Sequence, residues 1–113
     1  MKIYGIKTCD SVRKARKFMK EHGIDYTFVD FRERPVGEEK IRQWLAHISI
    51  DTLFNNRGTT YRTLKLKEKN LTDEEKAAWL AKENMLIKRP VIEYDNQVIV
   101  GFDAEKYASL FTK

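Results

Sequence analysis

Residues 2–31 read KIYGIKTCDSVRKARKFMKEHGIDYTFVDF, and this stretch decides the fold. It opens on a short apolar run, 2–6, and closes on a run of β-branched and aromatic residues, 26–31, and both runs are typical of strands. Between them the apolar residues recur at helical spacing, at Val12, Ala15, Phe18 and Met19. A strand, a helix and a strand joined by short loops predict a β-α-β unit with two parallel strands.

The central helix of this unit is predicted over residues 11–22. Asp10 or Ser11 is expected to cap its start, because short polar side chains accept hydrogen bonds from the first free amides of a helix. Gly23 is expected to end the helix, since glycine readily adopts the left-handed backbone of a C-terminal cap. His22 is interpreted as part of that cap and not as a catalytic base.

Residues 38–87 are predicted to form an all-helical insertion. One helix lies in the first part, and the sequence TDEE at 72–75 is typical of the start of another. Both tryptophans are expected in the core. Between the helices, NNRG at 55–58 predicts a turn, because Asn and Gly tolerate positive φ. The apolar positions of the two helices are Ile41, Trp44, Leu45, Ile48, Ala78, Trp79 and Leu80.

The last part of the chain predicts a hairpin and a helix. Strand-like runs at 91–94 and 98–100 flank a short turn, and Asp103 then caps a helix that runs through Leu110. The full order is typical of an α/β thioredoxin-like fold: a mixed four-stranded sheet with an inserted all-helical subdomain. We expect one domain over residues 1–113.

Composition restricts the class of protein. No stretch approaches 18 apolar residues, so neither a membrane anchor nor a signal peptide is expected. A single cysteine excludes an internal disulfide and fits the cytoplasm. The net charge is +5, but the basic residues alternate with acidic ones, which favours solvated mixed faces over direct nucleic-acid binding and leaves one small anion site open. A monomer is expected.

Cys9 is the candidate reactive group. It follows the first strand and precedes the first helix, where unpaired amides and the positive end of the helix dipole favour the thiolate. Arg13, one helical turn further on, is expected to add a positive charge, and Ser11 can donate a hydrogen bond to sulfur. The alternative is an ordinary buried cysteine beside an exposed arginine.

The sequence lacks the residues that other kinds of cysteine site require. Position 12 is Val, so there is no C-x-x-C pair, and no second cysteine exists for a metal site. The C-x5-R loop of a phosphatase would need arginine where Ala15 stands. A thiol that resolves an intermediate on Cys9 therefore has to come from another molecule, and neither a metal nor a bound cofactor is predicted.

Three segments together resemble the ArsC/Spx family. They are CDSVRKA at 9–15, RGTTYR at 57–62 and KRPV at 88–91, and they occur in the family's order along nearly the whole chain. The chain is most similar to the YffB-type members, which are proposed to be glutathione-dependent thiol reductases.

The resemblance implies roles for five positions. Cys9 matches the family's nucleophile, and Arg57 and Arg89 match arginines that bind an oxyanion or a carboxylate of glutathione. Pro90 matches a proline that shapes the loop beside the cysteine, and the resemblance implies a cis Arg89-Pro90 bond. Glutathione is implied as a co-substrate, with glutathione or glutaredoxin as a partner.

Two departures from the family bear on the substrate. The glutaredoxin-linked arsenate reductases carry a histidine where this chain has Gly5, and a further arginine near 100–102, where it has VGF. Spx-type regulators carry a second cysteine where this chain has Val12. These differences weaken the arsenate-reductase and redox-switch interpretations.

Three functions follow from these residues and from the resemblance. The first is a thiol-dependent oxidoreductase in which Cys9 forms a mixed disulfide that an external thiol resolves. The second is an Spx-like regulator that binds a protein such as RNA polymerase without a redox switch. The third is an arsenate reductase that relies on Arg57 and Arg89.

Overall fold

Four short strands form one mixed sheet in the computed structural model, which describes residues 1–112. The strands are β1 (Lys2–Gly5), β2 (Thr27–Asp30), β3 (Val91–Tyr94) and β4 (Gln97–Val100). Their order across the sheet is β2-β1-β3-β4. β1 is parallel to β2 and antiparallel to β3, and β3 is antiparallel to β4. This arrangement confirms the thioredoxin-like fold.

Six helices accompany the strands in the described part of the chain. They are α1 (Asp10–Glu21), α2 (Glu38–Leu45), α3 (Ile50–Leu53), α4 (Thr59–Thr63), α5 (Asp73–Lys82) and α6 (Ala104–Phe111). Short 3-10 turns follow α4 at Leu66–Lys69 and α5 at Asn84–Leu86. Within residues 1–112, no helix has both the length and the apolar character needed to cross a bilayer.

The chain divides into two compact units. One, here the sheet unit, contains residues 1–33 and the residues from 89 onwards. The other, the helical unit, contains residues 34–88. All four strands, α1 and α6 belong to the sheet unit, and α2 to α5 belong to the helical unit.

The core of the sheet unit lies between its strands and the two helices. Ile3, Ile92 and Ile99 stand side by side in the register of β1, β3 and β4 and are buried. α1 adds the buried face that its spacing predicted, and α6 adds Tyr107. The helix side chains packed in this cluster are Ala15, Phe18, Met19 and Tyr107.

The predicted hairpin is present with a tighter turn. Asp95 and Asn96 have φ of 44° and 60°, so these two residues alone make the turn, and Gln97 belongs to β4. Left-handed backbone at both central residues matches the twist of the paired strands. Asp103 caps α6 as predicted, since its carboxylate accepts a hydrogen bond from the Lys106 amide at 3.1 Å.

The helical unit buries one tryptophan and not the other. Trp44 on α2 is fully buried, as predicted. Trp79 on α5 is only half-buried, and the Lys82 ammonium lies 4.8 Å from its ring centroid. The prediction for Trp79 is therefore wrong. The residues that α5 buries are Ala77 and Leu80, three positions apart, and Trp79 lies at the edge of this buried face.

Two polar networks hold the helical unit. The Thr72 hydroxyl accepts from the Glu75 amide, and the Glu75 carboxylate accepts from the Thr72 amide, which makes the predicted start of α5 a capping box. Asn84 is 7% exposed, accepts from the Val36 amide at 2.7 Å and donates to the carbonyls of Val36 and Leu80. These bonds tie the segment before α2 to the end of α5.

Candidate active site

The loop after β1 places Cys9 at the start of α1. The Cys9 amide donates to the Ile6 carbonyl at 3.3 Å, which closes a tight turn through Lys7 and Thr8. Cys9 is half-buried and has extended backbone at φ −83° and ψ 127°. Its carbonyl accepts the first helical bond, from the Arg13 amide at 3.0 Å. Cys9 is therefore the N-cap of the helix.

This geometry corrects the predicted start of α1. Asp10 and Ser11 were expected as caps, but both lie inside the first turn. The Cys9 side chain makes no capping hydrogen bond, so the first-turn amides are not satisfied by a side-chain cap. Those amides and the helix dipole favour negative charge at the N-terminus, which is where the sulfur is attached.

Arg13 contacts the loop through two hydrogen bonds. Its guanidinium donates to the Thr8 carbonyl at 3.1 Å and to the Asp10 carboxylate at 3.0 Å. The first bond holds the turn that precedes Cys9. The second pairs the charge of Arg13 with an acid, which reduces the field that Arg13 exerts at the sulfur. Ser11 is half-buried in the same turn.

Gly5, at the end of β1, contacts α1 directly. A Cβ added at this glycine would lie 2.5 Å from Cγ2 of Val12, closer than two carbon atoms can approach. The strand and the helix therefore approach each other through the absent side chain of Gly5. Gly5 precedes the Cys9 loop and Val12 follows it, and the Val12 side chain occupies the space that a side chain at position 5 would need.

Pro90 lies at the same end of the sheet as Cys9. β1 ends at Gly5, and its antiparallel partner β3 begins at Val91, opposite Tyr4. The Arg89-Pro90 bond is cis, which confirms the expectation from the resemblance. Pro90 is buried and Arg89 is half-buried.

Two groups hold the backbone at Pro90. The Gly101 amide donates to the Pro90 carbonyl at 2.8 Å, and the Tyr107 hydroxyl donates to the Gly101 carbonyl at 2.6 Å. Burial raises the pKa of Tyr107 far above its ordinary value, so the hydroxyl keeps its proton and stays a donor. Tyr107 on α6 thus holds Gly101, which follows β4, and Gly101 in turn holds the loop before β3.

Arg57 belongs to the helical unit, in the predicted turn. The Asn55 side chain accepts from the Arg57 amide at 3.1 Å, and Arg62 donates to the Arg57 carbonyl at 3.2 Å. Gly58 has φ of −84°, so the positive φ predicted for this turn is absent. Arg57 is exposed and lines a groove of about 320 Å³ with Asn56, Tyr61, Arg62, Lys65, Lys67 and Glu68.

The groove beside Arg57 has the character of an anion site. Four of its seven lining residues are cations, and one is an acid. Arg62 is anchored by its bond to the Arg57 carbonyl, and the Tyr61 ring packs edge-on against Phe54 with centroids 5.9 Å apart. No group of three or more candidate metal ligands occurs among residues 1–112.

The sequence profile of the ArsC family matches residues 4–110. The chain belongs to the ArsC family. A protein of Haemophilus influenzae without an assigned function is 36% identical over 110 residues, which is 96% of each chain. A solved structure named YFFB protein has a TM-score of 0.89 and 34% identity and covers 96% of both chains. The regulatory protein MgsR of Bacillus subtilis is 27% identical over 98% of this chain and 90% of its own.

The residues that match the ArsC pattern are divided between the two units. Cys9, Ser11, Arg13, Arg89 and Pro90 all lie in the sheet unit, around the ends of β1 and β3. Arg57 lies in the helical unit, within its own basic groove. The departures at positions 5 and 12 are physically linked, because Val12 fills the space that a side chain at position 5 would need.

Sequence reasoning missed the groups that support the Pro90 loop. Gly101 and Tyr107 follow Pro90 by 11 and 17 residues, and no short motif joins them. It also missed the bond from Arg13 to the Thr8 carbonyl. A signal for that contact was present, because an arginine one turn into a helix can reach back to the preceding loop.

Proposed function

We propose that this protein is a thiol-disulfide oxidoreductase that uses Cys9 as its nucleophile and glutathione as the external thiol. The observation that carries the proposal is the position of Cys9: half-buried at the N-cap of α1, without a capping hydrogen bond of its own, in an ArsC family chain. A thiolate there is favoured by the helix terminus, and a thiolate is the form that attacks disulfides.

The reaction is a pair of exchanges. The Cys9 thiolate attacks one sulfur of a substrate disulfide, so a Cys9-substrate disulfide forms, the substrate S–S bond breaks, and the released thiolate takes a proton from water. One glutathione thiolate then attacks Cys9 sulfur and releases the second substrate thiol. A second glutathione attacks the glutathione sulfur and regenerates Cys9. Overall, one disulfide is reduced and two glutathione molecules are oxidised to one glutathione disulfide.

The remaining predicted residues have supporting roles in this proposal. Ser11 and Arg13 stabilise the thiolate and the turn before it, and Pro90 shapes the opposite side of the site. Arg89 and Arg57 bind the carboxylates of glutathione, since a guanidinium matches the geometry of a carboxylate with two parallel hydrogen bonds. The pairing of Arg13 with Asp10 partly offsets the positive charge that Arg13 contributes near Cys9. We place the reaction in the cytoplasm, where glutathione is abundant in reduced form.

The test is reduction of bis(2-hydroxyethyl) disulfide by glutathione, followed through consumption of NADPH by glutathione reductase. Parent protein is expected to accelerate the reaction, and Cys9→Ser to abolish the acceleration while keeping the fold. Arg89→Ala and Arg57→Ala are expected to raise KM for glutathione about tenfold, the loss expected for one charge-assisted hydrogen bond. Lys69→Ala, an exposed cation outside the Arg57 groove, serves as the control.

The proposal fails if well-folded parent protein gives no acceleration over glutathione alone. Alkylation with iodoacetamide gives an independent reading of the same thiol. The proposal expects Cys9 to react faster at pH 7 than a cysteine in an unstructured peptide, and an equal rate would contradict it.

A second candidate is a regulator that binds a protein such as RNA polymerase. The likeness to MgsR, which is named a regulatory protein, favours it. Here Cys9→Ser would leave the biological effect intact, which separates the two functions. Arsenate reduction is a third candidate, and arsenate-dependent oxidation of glutathione in the presence of glutaredoxin would reveal it.

A further inference from the structure

The outer side of α1 carries a row of cations that begins one helical turn from Cys9. Arg13, Arg16, Lys17 and Lys20 line a shallow groove of about 280 Å³ together with Tyr26. Steps of three and four residues place these cations along one side of the helix. The geometry points to a docking surface for an acidic segment of a protein whose disulfide Cys9 attacks, an inference that rests on the function proposed above.

One of the cations that line the groove, Arg16, is held in place. The Arg16 guanidinium donates to the Tyr26 hydroxyl at 3.1 Å and lies 4.2 Å from the centroid of the Phe28 ring. Arg16 is half-buried, and these two contacts fix its orientation. A cation that is already ordered loses little freedom when a carboxylate binds it.

The lysines of the groove are exposed and available. Neither Lys17 nor Lys20 forms an ion pair within residues 1–112, whereas Arg13 is paired with Asp10. Two uncompensated lysines attract acidic partners and speed their approach. Arg16 supplies the geometry of the site, and the two lysines supply its net charge.

The size of the row favours a protein segment over a nucleic acid. From Arg13 to Lys20 the row extends about 10 Å along the helix, the length of about three extended peptide residues. Exposed acids bound both ends, because Asp10 contacts Arg13 and Glu21 follows Lys20. A longer phosphate backbone would continue past the row and meet these carboxylates.

The distance between the row and the thiol suits a protein substrate and not a small disulfide. Lys17 and Lys20 follow Cys9 by eight and eleven residues, or about 12 and 17 Å along the helix. A small disulfide at Cys9 does not reach them. Acidic residues that lie three to five positions from the cysteine of a protein substrate reach far enough to contact the two lysines. The surface therefore selects protein substrates that carry such residues.

The experiment uses peptides in which one cysteine is blocked by 2-thiopyridine and is followed by three glycines and then four glutamates. A matched peptide carries four serines instead. Cys9 thiolate attacks the peptide sulfur, a Cys9-peptide disulfide forms, and 2-thiopyridone leaves and is measured by its absorbance. At low salt the glutamate peptide is expected to react about tenfold faster than the serine peptide.

Two double variants give the decisive comparison. Lys17→Glu/Lys20→Glu should lower the ratio of the two rates to one or below. Lys69→Glu/Lys106→Glu makes the same change in net charge at exposed positions on the 3-10 turn after α4 and on α6, and should keep the ratio near ten. An equal fall in both double variants, or no fall in either, would overturn the proposed docking surface.

Docking is also measured without any exchange reaction. A fluorescent glutamate peptide that lacks cysteine is titrated onto the Cys9→Ser protein, and binding should weaken in the Lys17→Glu/Lys20→Glu background. If this holds while no peptide disulfide reacts with the parent, the thiol-exchange function fails and the surface stands. If oligo-dT of ten nucleotides binds more tightly than the peptide and depends on the same lysines, the surface belongs to a nucleic acid and the inference is wrong.

Discussion

Val12 and Gly5 restrict each other at the level of single residues. Val12 is β-branched and lies within α1, where its side chain has one strongly preferred rotamer and cannot turn away from Gly5. Any side chain at position 5 therefore requires either a shift of the helix or a smaller residue at position 12. This explains in physical terms why the histidine expected of glutaredoxin-linked arsenate reductases has no place here.

Gly5→Ala tests this restriction. The added methyl is expected to lower the free energy of unfolding by about 1–3 kcal/mol, the usual cost of overpacking a filled core. The measurement is urea denaturation of parent, Gly5→Ala, Val12→Ala and the double variant. The double variant should be more stable than the sum of the two single losses predicts, because Val12→Ala frees the space. Strict additivity would show that the two residues do not compete for one volume.

Helix termini determine stability at the level of elements, and α5 offers the clearest case. Its capping box joins Thr72 and Glu75 through two reciprocal hydrogen bonds. The bond that Glu75 accepts from the Thr72 amide is the main reason that the pKa of this carboxyl lies below its ordinary value of 4.5. The carboxylate thus stabilises the folded chain above pH 4.5, and its contribution is lost as pH falls through the lowered pKa.

Acid titration of Glu75→Gln tests the capping box. The melting temperature of the parent should fall more steeply between pH 5 and pH 3 than that of Glu75→Gln, which has no proton to gain at this position. Glu105→Gln, in the first turn of α6, is the control for losing an acid near a helix start. If the melting temperatures of Glu75→Gln and the parent fall equally over this pH range, the charge of the Glu75 cap does not contribute to stability.

Elements were predictable where their signals are local. The α1 face repeats within two helical turns, and the capping box at Thr72 and the cap at Asp103 each join residues within one turn. The start of α1 was misplaced because Asp10 is a strong cap by type, yet its carboxylate binds Arg13 inside the helix. Trp79 was misplaced because a large apolar residue was taken as core, while the burial of α5 is decided by the helices it packs against.

The candidate site was predictable to a similar extent. Cys9 was found because a strand, a turn and a helix follow one another directly in the chain. The cis bond before Pro90 came only from the resemblance, since trans is the default for an isolated sequence. The bonds from Gly101 and Tyr107 could not be predicted, because they join residues from separate elements that only the folded sheet unit brings together.

At the scale of the whole molecule, we expect a monomer. Among residues 1–112, the large apolar side chains classed as exposed are Met1 and Leu110, at 37% and 41%. Stable dimers usually bury a broader apolar area than two isolated side chains provide. With reductant present, light scattering after gel filtration should give the chain mass of 13.4 kDa. A mass twice as large that persists on dilution would contradict this expectation.

The sheet joins the two ends of the chain, which has a consequence during translation. β1 and β2 leave the ribosome early, but β3, the antiparallel neighbour of β1, begins only at residue 91. The helical unit is continuous in sequence and is complete at residue 88, before the sheet can close. Until residues 91–111 emerge, the apolar side chains of β1 and α1 lack the part of their core that β3, β4 and α6 supply. The nascent chain therefore exposes them from the time α1 emerges until β3, β4 and α6 have emerged, and in this interval they are open to aggregation.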